Sequence, residues 1–394
     1  MGETQSVPTR PGSQSALRSL NQHRVLDVLS AQGETTQAEL ARKTGLAPAT
    51  VSNIIRALLS EDVVRVEEPE HGRRLIRLAR SAGLVVGMDF GHRHLTVAVA
   101  DLGHQILAQR RVEFGAHSSA DDGLRMAGDM MDDALGEVTT DRSSVLGVGL
   151  GLPAPIDRGS GTVGALSILP AWVGVNAGAE AHAAFGVPVV VDNDANLGAL
   201  AEHTWGACRD AENAVYLKLS EGVGCGLIVG GELFRGRNGT AGEIGHTTID
   251  ELGAVCRCGS RGCLETRVSA RSVIELLEPL HGPGLTVQDV VNMATSGDHA
   301  CARVLSDTGR QVGIAAANLC NLFNPEVIVV GGELALAGDM LLGPLREAVR
   351  RSGLPSATAD LQAVPATLGA RAHVMGAISL AIRSSQLAGS LGSS

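Results

Sequence analysis

"TTQAELARKTGLAPATVSNIIRALLSED", residues 35–62, carries two helix starts and one helix stop in a short span. Thr36 and Glu39 stand at the S/T-x-x-E spacing of a capping box, which predicts a helix that begins there and ends before Gly45. Pro48 suits the first position of a second helix, with Val51, Ile54, Ile55, Leu58 and Leu59 on its buried face. Two short helices joined by a glycine-bearing turn make a helix-turn-helix. The exposed side at the start of the second helix offers Ala49, Thr50, Ser52, Asn53 and Arg56. These are the small and hydrogen-bonding groups with which a recognition helix meets base edges and phosphates.

The flanks extend the pattern. Upstream, "ALRSLNQHRVLDVLSA" (16–31) places Leu17, Leu20, Val25, Val28 and Leu29 at near-helical spacing, which predicts one amphipathic helix. Downstream, "VVRVEEPEHGRRLIRLA" (63–79) reads as strand, turn, strand, with Arg73 and Arg74 at the tip of a wing. Residues 1–14 are expected to be a disordered tail, 15–82 a winged helix-turn-helix and 83–394 a separate body, joined by the short "SAG" at 81–83. A packing module without a DNA role is the alternative for the head; the order of its parts and its charge favour DNA. Residues 1–82 carry 11 Lys and Arg against 9 Asp and Glu, while the remainder carries 21 against 33, so the basic surplus sits in the head.

The rest of the chain bounds the class of protein. At 394 residues and 44% hydrophobic it can build several cores, and its 50 glycines promise many tight turns, which excludes a disordered or fibrous chain. Seven cysteines, several of them single within apolar runs, fit a reducing compartment, and the N-terminal stretch resembles no secretory leader. No uncharged apolar run approaches the ~18 residues of a membrane span. The expectation is a cytoplasmic protein without a membrane partner. Beyond residue 83, apolar runs such as "LVVGMDF", "VLGVGLGL" and "AVYLKL" alternate with helical stretches at 121–136, 196–207, 268–279 and 307–323. Such alternation over ~300 residues predicts an α/β body of two lobes around a cleft.

"DFG" at 89, "GLGLPAPID" at 149, "VDNDANLGALAE" at 191, "GVGCGLIVGGELFRGRNGTAGEIGH" at 222 and "CRCGSRGCLE" at 256 together resemble the ROK family of repressors, open reading frames and sugar kinases. The resemblance covers nearly the whole chain, head included. It implies an actin-like, two-lobed ATPase fold, with a smaller lobe of about 84–192 plus a C-terminal helix of about 372–386, and a larger lobe of about 193–371. Family members with a winged head use the body as an effector sensor for a transcription factor.

His246, Cys256, Cys258 and Cys263 supply one imidazole and three thiolates, a closed tetrahedral set suited to one structural zinc, with unliganded thiols as the alternative; the family uses these four positions. By resemblance, Glu243, His246 and Glu265 line one side of a sugar cleft and Asn193 and Asp194 the other. Carboxylates and a carboxamide are what vicinal hydroxyls require. Asp194 matches the family's general base, and Ala154 stands where the family has a glycine close to the sugar.

The phosphate loops depart from the family. Its kinases carry a first loop resembling Asp-x-Gly-Gly-Thr-Lys, whereas this chain has "DFGHRH", and the side chains of His92 and Arg93 are expected to fill the phosphate space. A Gly-Thr-Gly pattern has become "SEGVGCG", with Glu221 set to repel phosphate and Val223 in place of a hydroxyl. The expectation is therefore a sugar-responsive repressor of carbohydrate genes, not an enzyme, with Asp194 a vestigial base. It would bind operator DNA as a homodimer or homotetramer, since one recognition helix per chain needs a second half-site. The alternative is an active glucokinase-like kinase with a fused DNA head; a body that is only an oligomerisation scaffold would leave Asn193, Asp194, Glu243 and Glu265 without a purpose.

Overall fold

The computed structural model describes residues 14–67, 74–79 and 82–385. Residues 1–13 of the expected N-terminal tail, Arg73 at the wing tip and Ser81 of the joint lie outside the described residues, while Gln14, expected in the tail, opens the first helix.

The head contains α1 (Gln14–Gln32), β1 (Glu34–Thr35), α2 (Gln37–Thr44), α3 (Pro48–Ser60), β2 (Val64–Glu67) and β3 (Leu75–Leu78), with the strands ordered β1-β3-β2, all antiparallel. Thr36 caps α2 by accepting from the Glu39 amide at 3.2 Å, and Gly45 ends it in a left-handed conformation. The Glu39 carboxylate pairs with Arg42 at 2.7 Å, so the cap is one-sided. Pro48 opens α3, whose Val51, Ile54, Ile55 and Leu58 are buried. The expected apolar faces are too wide: Leu59 is 42% exposed, and Leu17 and Leu20 are 55% and 57% exposed. Those two leucines sit in the first turns of α1, and the core is reached only from Val25 onward.

The body is built on two five-stranded sheets. The first, ordered β6-β5-β4-β7-β8, comprises β4 (Leu84–Phe90), β5 (His94–Asp101), β6 (Ile106–Glu113), β7 (Val145–Leu152) and β8 (Val189–Asn193), with α4 (Ala120–Glu137) and α5 (Ala177–Phe185) packed beside it. From β8 the chain passes directly into α6 (Asp194–Trp205). The second sheet, ordered β11-β10-β9-β12-β13, comprises β9 (Ala214–Leu219), β10 (Val223–Val229), β11 (Glu232–Phe234), β12 (Val327–Gly331) and β13 (Gln362–Pro365). Its helices are α7 (Glu265–Val268), α8 (Ala270–His281), α9 (Val287–Thr295), α10 (His299–Phe323), α11 (Asp339–Ser352) and α12 (Pro355–Thr358). The last helix, α13 (Ala372–Ser384), crosses back onto β4 and β7 of the first sheet. Glycine permits that approach: a Cβ at Gly87 or Gly149 would run into the carbonyls of Val374 or Ala377.

Each sheet has its own core, and a third core joins head to body. There Val25, Leu29, Leu40, Ile55 and Leu58 of the head pack with Val85, Ala98 and Ala100 of the first sheet and with Val374, Ile378 and Ile382 of α13. The head is thus docked on the first lobe over an apolar surface, beyond the covalent joint. Among the described residues no helix is long and apolar enough to cross a membrane.

Helix α6 is pinned by a buried carboxylate. Glu202, fully buried, accepts from the backbone amides of Ala207 (2.7 Å), Thr367 (2.9 Å) and Leu368 (2.9 Å) and from the Thr367 hydroxyl (3.0 Å). Leaving a buried donor unpaired costs ~1–3 kcal/mol. Glu202→Ala orphans three amides and is expected to lose at least about 3 kcal/mol in urea unfolding, with Glu202→Gln losing less; equal stability of all three proteins would refute this account of the pin.

Candidate functional site

The cleft between the two sheets is built where β8 meets α6. Asn193 ends the strand and caps the helix: its side-chain oxygen accepts from the amides of Ala195 (2.8 Å) and Asn196 (3.4 Å), while its amide donates to the Ala154 carbonyl at 3.1 Å. Asp194 is the first residue of α6 and lies buried in its first turn, where the helix dipole favours an anion. Across the cleft stand Glu243, which precedes a single turn at 244–246, and His246, which closes it. Ala154, Asn193, Asp194, Glu243 and His246 line one inner pocket together with Pro153, Ile168, Lys218 and Arg257. Glu265 lies at the pocket's edge and faces an adjoining cavity of about 570 Å³.

Two cations occupy the inner pocket. Lys218, from β9, forms an ion pair with Asp194, and Arg257 reaches Glu265 at 2.8 Å; Glu265 also accepts from the Val223 amide at 2.9 Å. The remaining free space is about 40 Å³, so a ring can enter only when these side chains or the lobes move. Glu243 forms no ion pair with a lysine or arginine among the described residues. Burial pushes its carboxyl up to about 7, with repulsion from Asp194 and Glu265 adding to the effect. Lys218 and Arg257 were missed by the sequence reading. The signal for Lys218 was present, since a lysine inside the apolar strand "AVYLKL" needs a buried counter-charge.

The cysteine loop folds into a compact donor cluster. Cys256 Sγ lies 3.5 Å from His246 Nδ1 and Cys258 Sγ lies 3.6 Å from Cys263 Sγ, and all four donor atoms fall within 4.8 Å of one another. Tetrahedral bonds of about 2.0–2.3 Å imply donor separations of roughly 3.5–3.8 Å, so the set fits a four-coordinate ion. With Nδ1 turned to the thiols, His246 Nε2 faces Glu243 at 3.9 Å, and one ring joins the donor cluster to the pocket wall. A second group, His281, Asp298 and Cys301, offers three donors only, and Asp298 there already caps α10 through the Cys301 amide.

In the loop expected to meet phosphate, where His92 and Arg93 were the side chains named, His92 is half-buried, Arg93 turns out and His94 turns in. Arg93 is exposed, whereas the His94 ring lies over Gly91, where any side chain would collide with it, and its Nε2 meets Asp89 at 2.9 Å. Burial alone would raise Asp89, but hydrogen bonds and charge from His373 and His94 hold its carboxyl well below the usual range. His92 lies 3.9 Å from Glu221, bringing the tips of the two loops together.

In the head, Asn53 and Arg56 are exposed on α3 and bonded to each other at 3.1 Å; Thr50 and Ser52 are half-exposed, and Arg74 is exposed at the start of β3. These groups share the outward side of α3 and the wing, away from the core shared with the body.

A model of the ROK family matches residues 85–384, and a model described as the MarR family matches residues 18–75. The chain is 29% identical to the xylose repressor of Bacillus subtilis over 376 residues, which covers 94% of this chain and 96% of the repressor. Among solved structures, a ROK family transcriptional regulator described as a homologue of the Escherichia coli MLC protein superposes with a TM-score of 0.76 at 26% identity, covering 95% of this chain and 97% of that one. A ROK family glucokinase from Streptomyces griseus, in complex with glucose and AMPPNP, superposes with a TM-score of 0.67 at 29% identity, covering 76% of this chain and 99% of that one.

The Lys218–Asp194 pair, 11% and 6% exposed, is close to a buried ion pair, for which loss of one partner costs ~3–5 kcal/mol. Lys218→Met alone is expected to destabilise the protein by about 3 kcal/mol, and adding Asp194→Asn should restore most of that loss, giving a coupling energy of about 2 kcal/mol. A double-mutant cycle in urea measures it, and additive losses would show that the two charges do not depend on one another.

Proposed function

This chain belongs to the ROK family, and we propose that it is a sugar-responsive transcriptional repressor of carbohydrate genes. In this reading the MarR-type head binds operator DNA through Thr50, Ser52, Asn53, Arg56, Arg73 and Arg74, and the kinase-derived cleft serves as the effector site. The observation that carries it is the pocket itself. Asn193, Asp194, Glu243, His246 and Glu265 converge as a sugar would require, yet Asp194, the residue a kinase needs as general base, is held by Lys218. A carboxylate engaged by a buried ammonium is poorly placed to take a hydroxyl proton. The His94 ring over Gly91 and Glu221 beside the second loop add bulk and negative charge where a nucleotide's phosphates would need space and backbone donors.

The same residues form a workable sensor. A sugar that displaces Lys218 and Arg257 offers hydroxyls to Asp194, Glu243 and Glu265, with Asn193 and the Ala154 carbonyl on the near wall. Because the acids come from both sides of the cleft, such a ligand favours a closed form. One structural zinc on His246, Cys256, Cys258 and Cys263 would fix the loop and present the other edge of His246 to the pocket. The domain division follows from the same reading, with residues 15–82 as the DNA head and 83–394 as the sensor. Two half-sites call for a homodimer or homotetramer, and the free thiols suit the cytoplasm. An active kinase with a fused head is the second reading, and the presence of Asp194 at the start of α6 is what favours it.

Elemental analysis of purified protein is expected to find one zinc per chain, and Cys258→Ser should lower both metal content and stability. Fully folded protein with clearly less than one equivalent would remove zinc from the account.

Thermal stabilisation by D-xylose, D-glucose and N-acetylglucosamine tests the sensor. A ligand at 100 times its Kd adds about 2.7 kcal/mol, while a coupled assay with ATP should find no turnover of the same sugars. Kinase-like turnover would establish the second reading instead.

A further inference from the structure

One helix reaches from the sugar pocket to the DNA head. Helix α6 begins at Asp194 in the pocket and ends at Trp205, and its twelve residues span roughly 17 Å at ~1.5 Å per residue. The Trp205 indole meets the His104 imidazole edge-on, with ring centroids 4.9 Å apart and planes at 71°. His104 sits in the turn between β5 and β6 and adopts φ +67°, a left-handed conformation that non-glycine residues usually avoid. Its Nε2 lies 2.6 Å from the backbone carbonyl of Ser30, in the last turn of α1. A carbonyl only accepts, so Nε2 carries the proton and the imidazole closes a helix end whose carbonyls have no partner further along the helix.

The seat is closely fitted. A side chain at Gly33, immediately after α1, would press on the Gly103 carbonyl and the His104 ring at 3.2 Å. His104 is buried, which pulls its pKa down to about 4, and its Nδ1 has no hydrogen-bond partner among the described residues. The contact therefore persists at neutral pH with an uncharged ring.

Helix α6 is also the element that both lobes share. It packs on β9 and β10 of the second sheet and on α13 of the first lobe, with backbone-close contacts at Gly198 against Tyr216 and at Gly376 against Leu197. A change in the angle between the sheets must shift or tilt α6. A helix is stiff over three turns, so displacement at Asp194 reappears at Trp205.

We propose that α6 is the lever by which pocket occupancy reaches the DNA head: a sugar bound at Asn193 and Asp194 shifts the helix, Trp205 moves His104, and the Ser30 end of α1 is released or retilted. This inference rests on the sensor reading and adds its route. Helix α1 packs on α2 and α3, so a change at Ser30 alters how the recognition helix is presented to DNA.

The chain has two tryptophans, which makes the route observable. Trp172 is buried against Phe90, with an indole nitrogen that has no partner, so Trp172→Phe gives up no hydrogen bond and leaves Trp205 as the only indole. Full-length Trp172→Phe protein is titrated with D-xylose, D-glucose and N-acetylglucosamine while emission and melting temperature are followed. The sugar that raises the melting temperature is expected to shift Trp205 emission with the same midpoint. Trp205→Ala, in the otherwise natural chain, should keep both that sugar affinity and the sugar-free affinity for a duplex selected by the protein from a random library. It should lose the effect of one on the other, which in the natural chain is expected at about 5- to 150-fold. A sugar that raises the melting temperature without changing Trp205 emission would overturn the lever and leave the sensor standing; a full sugar effect on DNA affinity in Trp205→Ala would do the same. No stabilisation by any of the three sugars would count against the sensor, and the lever with it.

Discussion

Asp194 and Glu265 of the cleft, and Asp89 and Asp192 on the strands of the first sheet, are four buried carboxylates, and a buried carboxylate survives as a charge only if something answers it. Here each has a basic partner: His94 beside Asp89, Arg235 at 2.6 Å from Asp192, Lys218 on Asp194 and Arg257 on Glu265. Glu243 has only the His246 ring at 3.9 Å, and burial raises its carboxyl toward neutrality. Much of the shape of the cleft follows from these pairings. Arg235 anchors the loop that leads to Glu243, Lys218 fixes β9 to the start of α6, and Arg257 draws the cysteine loop over the pocket.

The same pairings separate a sugar sensor from a sugar kinase within one scaffold. Phosphoryl transfer needs an unencumbered base and open backbone donors around the phosphates. A sensor needs acids whose desolvation is already compensated, so that a neutral ligand can exchange one set of hydrogen bonds for another. In the sensor reading proposed above, Lys218 on Asp194 and His94 on Asp89 meet the second requirement at the expense of the first.

What the sequence disclosed follows contact range. The caps of α2 and α3 and the cysteine cluster depend on residues close in the chain, and Thr36, Pro48 and the Cys256–Cys263 loop stand out in the linear text. Leu17, Leu20 and Leu59 were assigned to apolar faces because periodicity fixes the direction of a face and not its width. Lys218 with Asp194 and His104 with Ser30 join distant segments: a lysine within "AVYLKL" announces the need for a counter-charge but not which one, and no local pattern announces the second contact. The loop 91–94 shows the same limit at short range: "GHRH" announces bulk, but which side chains turn inward depends on where β5 begins, which leaves Arg93 out and brings His94 in.

The docking of the head has a consequence for how a signal can travel. A head held only by a tether would be insensitive to small movements of the lobe, because a flexible joint absorbs them. An apolar core shared by α1, α3, the first sheet and α13 does not, since close-packed interiors change by discrete repacking and not by gradual yielding. The neutral His104 ring adds a directional hydrogen bond to that surface without adding charge, so the contact owes little to salt or to pH near neutrality. Helix α6 touches this surface at one end and carries the buried Asp194 at the other. A ligand that exchanges for Lys218 would act on the end of a helix already packed against both lobes, and if α6 carries that action to the head as proposed, linkage requires that DNA at the head be felt in the same measure at the pocket.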